Sequence, residues 1–164
     1  MLTKSELEKN LERIHGWVTA ADQKVSIFLA FQGIILTILF ERIFLWTKEN
    51  LRDLQCRSII LLIFGIILIT YSIYKSISAI IPRLTKDKKK KSITYFGDIA
   101  EYNLENFKKA VKETSEDEYE NELIEQIHIS SKIAKMKHSQ FKDAILAFFC
   151  GMTLLALSFL LFRL

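Results

Sequence analysis

The chain is poor in the residues that make turns and crosslinks. It has one proline and five glycines in 164 residues, too few for the many tight turns of a sandwich, a barrel or a doubly wound sheet. Its two cysteines, Cys56 and Cys150, exclude a disulfide scaffold. One lies beside a hydrophobic run and the other about two turns inside a different run, so no bridge between them is expected. No glycine-rich phosphate loop, Ser/His/Asp or Cys/His set, or paired CxxC is present, so the usual machinery of a soluble catalytic domain is missing. The balance of 23 Lys+Arg against 19 Asp+Glu is too even for a nucleic-acid binder.

What the chain does have is apolar residues gathered into blocks. Half of it is hydrophobic, yet 26% is charged. Residues 25–40 run 16 positions without a formal charge, 58–74 run 17 and 144–162 run 19, each close to the ~17–25 residues of a membrane-crossing helix. The expected fold is an all-α membrane protein. Three transmembrane helices at 25–46, 58–82 and 144–164 carry a cytoplasmic helical stalk, formed by extensions of the first and last helices plus a short helix. An amphipathic helix occupies 1–24, a short external loop 47–57, and a cytoplasmic helical region 83–143. The first 24 residues are too long and too acidic for a signal-peptide n-region, and no small-residue cleavage site follows the first run, so that span is expected to be retained.

Helix signals set the details. Thr3 and Glu6 match a capping box, and Leu7, Leu11, Ile14 and Val18 recur on one helical face. Only Gly16 interrupts this pattern, so one helix is expected from about Thr3 to about Trp46, with Trp46 at headgroup level. Ile93-Thr94-Tyr95-Phe96 reads as an extended piece before Gly97, followed by a helix near 99–112. The last helix begins near Glu116 and meets no breaker before Gly151. Within it Leu123, Ile127, Ser130, Ala134, Lys137 and Phe141 recur at spacings of four and three, a coiled-coil-like seam. Packed in parallel, the two long helices would make a stalk of about 30 Å at 1.5 Å per residue. Lys24 would then lie level with Asp143 and Asp22 level with Lys142, as stalk ion pairs.

Charge placement orients the chain. Arg83, Lys86 and the four lysines at 88–91 put six basic residues in nine positions after the second run, against only Lys48, Arg52 and Arg57 around the other connection. The positive-inside rule makes the former side, and with it the N-terminus, cytoplasmic.

Two motifs tempt a catalytic reading. Glu12…His15 and Glu125…His128 are Glu-x-x-His pairs of the kind di-iron bundles use. In the parallel stalk, however, Glu12 falls level with about Ser131, leaving the motifs about 10 Å apart along the axis, so no metal is expected and the residues read as solvated polarity. The seven acidic residues from Glu113 to Glu125 read as a helix start favoured by the macrodipole and drawn toward the basic run. No ionisable residue sits at mid-depth in a span, which argues against a proton-coupled transporter. Ala147-x-x-x-Gly151 is a small-xxx-small pattern and Gln32 can bond across helices. One three-span bundle packs solid, so permeation would need a homo-oligomer, with Ala147 and Gly151 as its expected contact.

The stretch Trp17-Val-Thr-Ala-Ala-Asp-Gln-Lys-Val-Ser-Ile-Phe-Leu-Ala-Phe-Gln-Gly33, with its Asp-x-Lys pair before the first span, resembles the opening of the Pycsar transmembrane effector family. Gln126-Ile-His-Ile-Ser-Ser-Lys-Ile-Ala-Lys-Met-Lys137 is similar to that family's approach to its last span, and Tyr95-Phe96-Gly97-Asp98-Ile99 fits the middle. The resemblance implies a bacterial antiphage effector of the inner membrane, triggered by a cyclic pyrimidine nucleotide from a partner cyclase and acting by impairing that membrane. It implies no cofactor and no enzyme, and the His-Asp dyad of hydrolase-fused relatives is absent. For an anionic trigger, Lys24, Lys135, Lys137 and Lys142 gather at the cytoplasmic base of the spans, with Tyr95 or Phe96 placed to stack on a base; the other reading of these lysines is that they snorkel to lipid phosphates and pair with Asp22 and Asp143. The alternative is a structural anchor that recruits a soluble partner through its stalk.

Overall fold

The computed structural model describes residues 3–50, 56–81 and 91–163. Five helices follow in order: α1 Lys4–Asn50, α2 Cys56–Ile80, α3 Phe96–Ala100, α4 Leu104–Glu113 and α5 Glu116–Arg163. No strand occurs among the described residues. Three of the helices, α1, α2 and α5, are long and apolar enough to cross a membrane. The side chain of Trp46, most of the basic run and the middle of the 47–57 connection lie outside the described residues.

Local chemistry explains where the helices begin. The Thr3 amide donates to Glu6 Oε2 at 2.7 Å and the Glu6 amide to Thr3 Oγ1 at 3.4 Å, the reciprocal box read from the sequence. Ser115 and Glu118 repeat it at the start of α5, with both bonds at 3.2 Å. The middle of the chain differs from expectation. Tyr95 is extended but caps the short α3, and Phe96 is already helical. The helix expected near 99–112 starts only at Leu104, because the Asn103 side chain accepts the Asn106 amide at 2.8 Å and fixes the start there.

The chain divides into two compact units, Met1–Ala20 with Arg83–Lys135 and Ala21–Pro82 with Met136–Leu164. In the first, Leu7 and Ile14 of α1 and Leu123, Ser130 and Ala134 of α5 are buried, on the faces marked by the periodicity. The register differs from the expected one. His15 Nε2 lies 3.4 Å from Ser130 Oγ, so Glu12 is level with about Ile127 rather than Ser131. That shift of about one turn brings the two Glu-x-x-His motifs to within about 3 Å along the axis, so axial distance does not separate them. Glu12, His15, Glu125 and His128 are nevertheless exposed, and no cluster of three metal-ligating side chains forms among the described residues.

The second unit is a three-helix bundle around Ile69, Phe148 and Leu155, with Phe28, Ile35, Leu36 and Leu39 of α1 packed against them. Two glycines let α2 and α5 approach closely. A β-carbon built on Gly151 would lie 2.8 Å from Ile69 Cγ1 and 2.9 Å from the Gly65 carbonyl oxygen. This corrects the expected oligomer contact: Ala147 and Gly151 are buried inside the chain, where small residues let α2 and α5 touch.

Two tests follow. Gly151→Leu should lower thermal stability in detergent by about 1–3 kcal/mol through overpacking, whereas Gly33→Ala should leave it unchanged or higher, because nothing lies within 4 Å of the new methyl group. Hydrogen bonds from Thr3 hold the Glu6 carboxyl below its ordinary range. That stabilisation is present above the ordinary carboxylate range and is lost as pH falls through the lowered value. Amide exchange at the start of α1 should therefore accelerate in acid, and Thr3→Ala should flatten the profile.

Candidate functional site: a polar ladder across three helices

Within the bundle, polar groups line up at the end where α1 and α5 enter it. Lys137 on α5 is 8% exposed, and its ammonium makes two bonds. It pairs with Asp22 Oδ1 on α1 and donates to the Ala79 carbonyl at 2.9 Å. Ala79 lies in the last turn of α2, whose final carbonyls have no partner inside the helix and carry the negative end of its dipole. A cation there satisfies an orphan acceptor and a carboxylate together.

The next rung joins α2 and α5. Lys75 Nζ lies 3.4 Å from Asp143 Oδ2 and 5.4 Å from the centre of the Tyr71 ring. The third rung is neutral and fully buried. Gln32 donates to Ser72 Oγ at 2.6 Å and accepts from Ser76 Oγ at 3.3 Å, and the Ser72 hydroxyl donates to the Ala144 carbonyl at 2.5 Å. Near the other end of the bundle, Ser158 donates to the Ser58 carbonyl at 2.8 Å.

The sequence-predicted residues divide between the units. Lys24, Lys137 and Lys142 belong to the bundle, whereas Lys135, Tyr95 and Phe96 belong to the other unit. Lys24, Lys135 and Lys142 are exposed. Lys137 is not an open donor for an anion, since both of its bonds are made within the chain. The expected pairings of Lys24 with Asp143 and Asp22 with Lys142 are replaced: Asp22 takes Lys137 and Asp143 takes Lys75. Tyr95 and Phe96 are neighbours with ring centres 4.9 Å apart, and Tyr95 covers Gly97, where a β-carbon would lie 2.6 Å from its ring. Lys75 was missed, although it is the one charged residue between 58 and 80.

The other unit holds a cavity of about 430 Å³ between α4, α5 and the segment before α3. Glu113, Glu118, Glu122 and Glu125 line it, with Lys91, Tyr102 and Asn121. Glu122 also accepts from the Ile93 amide at 3.3 Å and the Thr94 hydroxyl at 3.1 Å, which fastens that segment to α5. The cavity is acidic, so it favours donors and cations over a bare phosphate.

Comparison with known proteins places this architecture. The model of the PycTM family, described as the Pycsar effector protein domain, matches residues 6–163, which includes α2 to α5 whole and nearly all of α1. The chain belongs to the Pycsar effector family. It is also 29% identical to the Pycsar effector protein GmPycTM of Gulbenkiania mobilis, over 87% of this chain and 84% of that protein. No solved structure matches the chain. Membership in the Pycsar effector family, with three membrane-crossing helices, makes this chain a multi-pass membrane protein and an effector of antiphage defence.

The ladder gives the bundle a measurable dependence on charge. Lys137→Gln should destabilise it in detergent by about 1–3 kcal/mol, less than a fully buried pair because Asp22 is partly exposed. Asp22→Asn should cost less, since Lys137 keeps the Ala79 carbonyl. The exchange Asp22→Lys with Lys137→Asp should not restore stability, because an aspartate at 137 cannot donate to Ala79; full recovery would mean the pair alone matters.

Proposed function

We propose that this chain is a non-enzymatic effector that impairs the inner membrane as a homo-oligomer once a cyclic pyrimidine nucleotide, made by a partner cyclase, signals infection. The N-terminus and residues 83–143 lie on the cytoplasmic side in this reading. The observation that carries it is the exposure of α1. Only 6% of its most apolar window is buried, against 22% in α2 and 33% in α5. A span this open has most of its surface available to lipid or to further copies, as an agent acting on the membrane requires.

The trigger binds on the cytoplasmic side. Within the bundle, Lys24 and Lys142 are exposed and offer ammonium groups to a phosphate. Lys137 serves the ladder instead. The anchoring alternative uses the same cytoplasmic region, but asks nothing of the spans beyond insertion.

Dye entry into cells expressing the chain separates the two. Added or co-produced cyclic pyrimidine nucleotide should raise entry at least several-fold, and replacing the three spans with polyleucine helices should abolish the rise. Retention of the response after the swap would establish the anchor instead. Lys24→Gln together with Lys142→Gln should lose the nucleotide response while keeping leak at high expression; an intact response would move the sensor to a partner protein.

A further inference from the structure

The short helix α4 is amphipathic but has no buried residue. Leu104 is 68% and Val111 48% exposed, and Lys108 and Lys112 flank them on the same side of the helix. A strip of opposite charge lies on α5 of the same unit. Ile124 is 48% exposed, with Glu120 and Glu116 one and two turns before it. None of these four charged residues has an ion partner among the described residues; the ion pair on α4 is Lys109 with Glu113. Each strip, Leu104 to Lys112 and Glu116 to Ile124, spans eight residue steps, about 12 Å at 1.5 Å per residue.

We propose that the two strips meet between neighbouring copies of this chain, α4 of one against the start of α5 of the next. The assignment rests on the homo-oligomeric reading above and names the surface that reading lacks. Charge and length both fit. Aligned antiparallel, Leu104 faces Ile124, Lys108 faces Glu120 and Lys112 faces Glu116, so one apolar pair is followed by two pairs of opposite charge, and Val111 falls opposite Asp117. Apolar contact supplies the area, and the ion pairs, exposed at the rim, set register more than affinity.

The contact joins two different surfaces, so it is head-to-tail. Copies inserted in one bilayer share one orientation, which forces the axis relating them to run along the membrane normal. A rotation about that normal that divides a full turn closes the repeated contact into a ring. A ring is the arrangement in which several three-helix bundles surround a common centre.

The test uses the full chain in membranes, carrying Cys56→Ser and Cys150→Ser and made with two different epitope tags. Leu104→Cys together with Ile124→Cys should give a ladder of crosslinked copies containing both tags. Leu104→Cys alone should give none. Crosslinking by Leu104→Cys alone would mean a symmetric α4–α4 contact and overturn the proposal, as would absence of a ladder in the double variant. Lys108→Glu and Glu120→Lys should each reduce crosslinking at least several-fold, and their combination should restore it. Failure of Glu120→Lys to reduce it would also overturn the proposal. Dye entry, measured in the same cells, keeps the two readings apart. A ladder without leak defeats membrane impairment and leaves the ring, whereas leak without a ladder defeats the ring and leaves the effector.

Discussion

Everything in the bundle depends on one ammonium group. In lipid, the chain tails are as apolar as leucine, so burying isoleucine against phenylalanine gains little over leaving it among acyl chains. Specificity must come from groups that lipid cannot satisfy. Lys137 is such a group: it closes the open carbonyl end of α2, neutralises Asp22 of α1 and stands on α5 itself. One side chain thereby fixes three helices at the same height. The Gln32, Ser72 and Ser76 bonds then set the rotation of α1 against α2 deeper in the bundle, and the Gly65–Gly151 approach sets the spacing of α2 and α5.

Much of this was legible in the sequence because the signals are local. A capping box needs only two residues three apart, and Thr3 with Glu6 showed one. The buried faces of α1 and α5 follow from helical spacing alone, which survives without knowledge of any partner. Register did not follow. Pairing Asp22 with Lys142 and Lys24 with Asp143 treated α1 and α5 as a closed pair, whereas α2 supplies a third party, Lys75, which takes Asp143 and leaves Asp22 to Lys137. A single position on another helix therefore moved the alignment by a turn.

The glycines show the same limit. Ala147 and Gly151 mark a surface made for close approach, and the pattern carries no information about which helix approaches. The partner is Gly65 on α2. The acidic cavity was hidden for a different reason: its walls come from α4, α5 and the segment at 91–93, and no short window of sequence contains them together.

The openness of α1 has a consequence for the medium in which the protein works. Most of its apolar surface is left uncovered by the rest of the chain, so where lipid covers it, bilayer thickness, chain order and headgroup charge act on this helix as temperature and denaturant act on a soluble one. Two membranes of different composition are, for α1, two different solvents. The resting state of the bundle is thus a joint property of the chain and of the lipids around it.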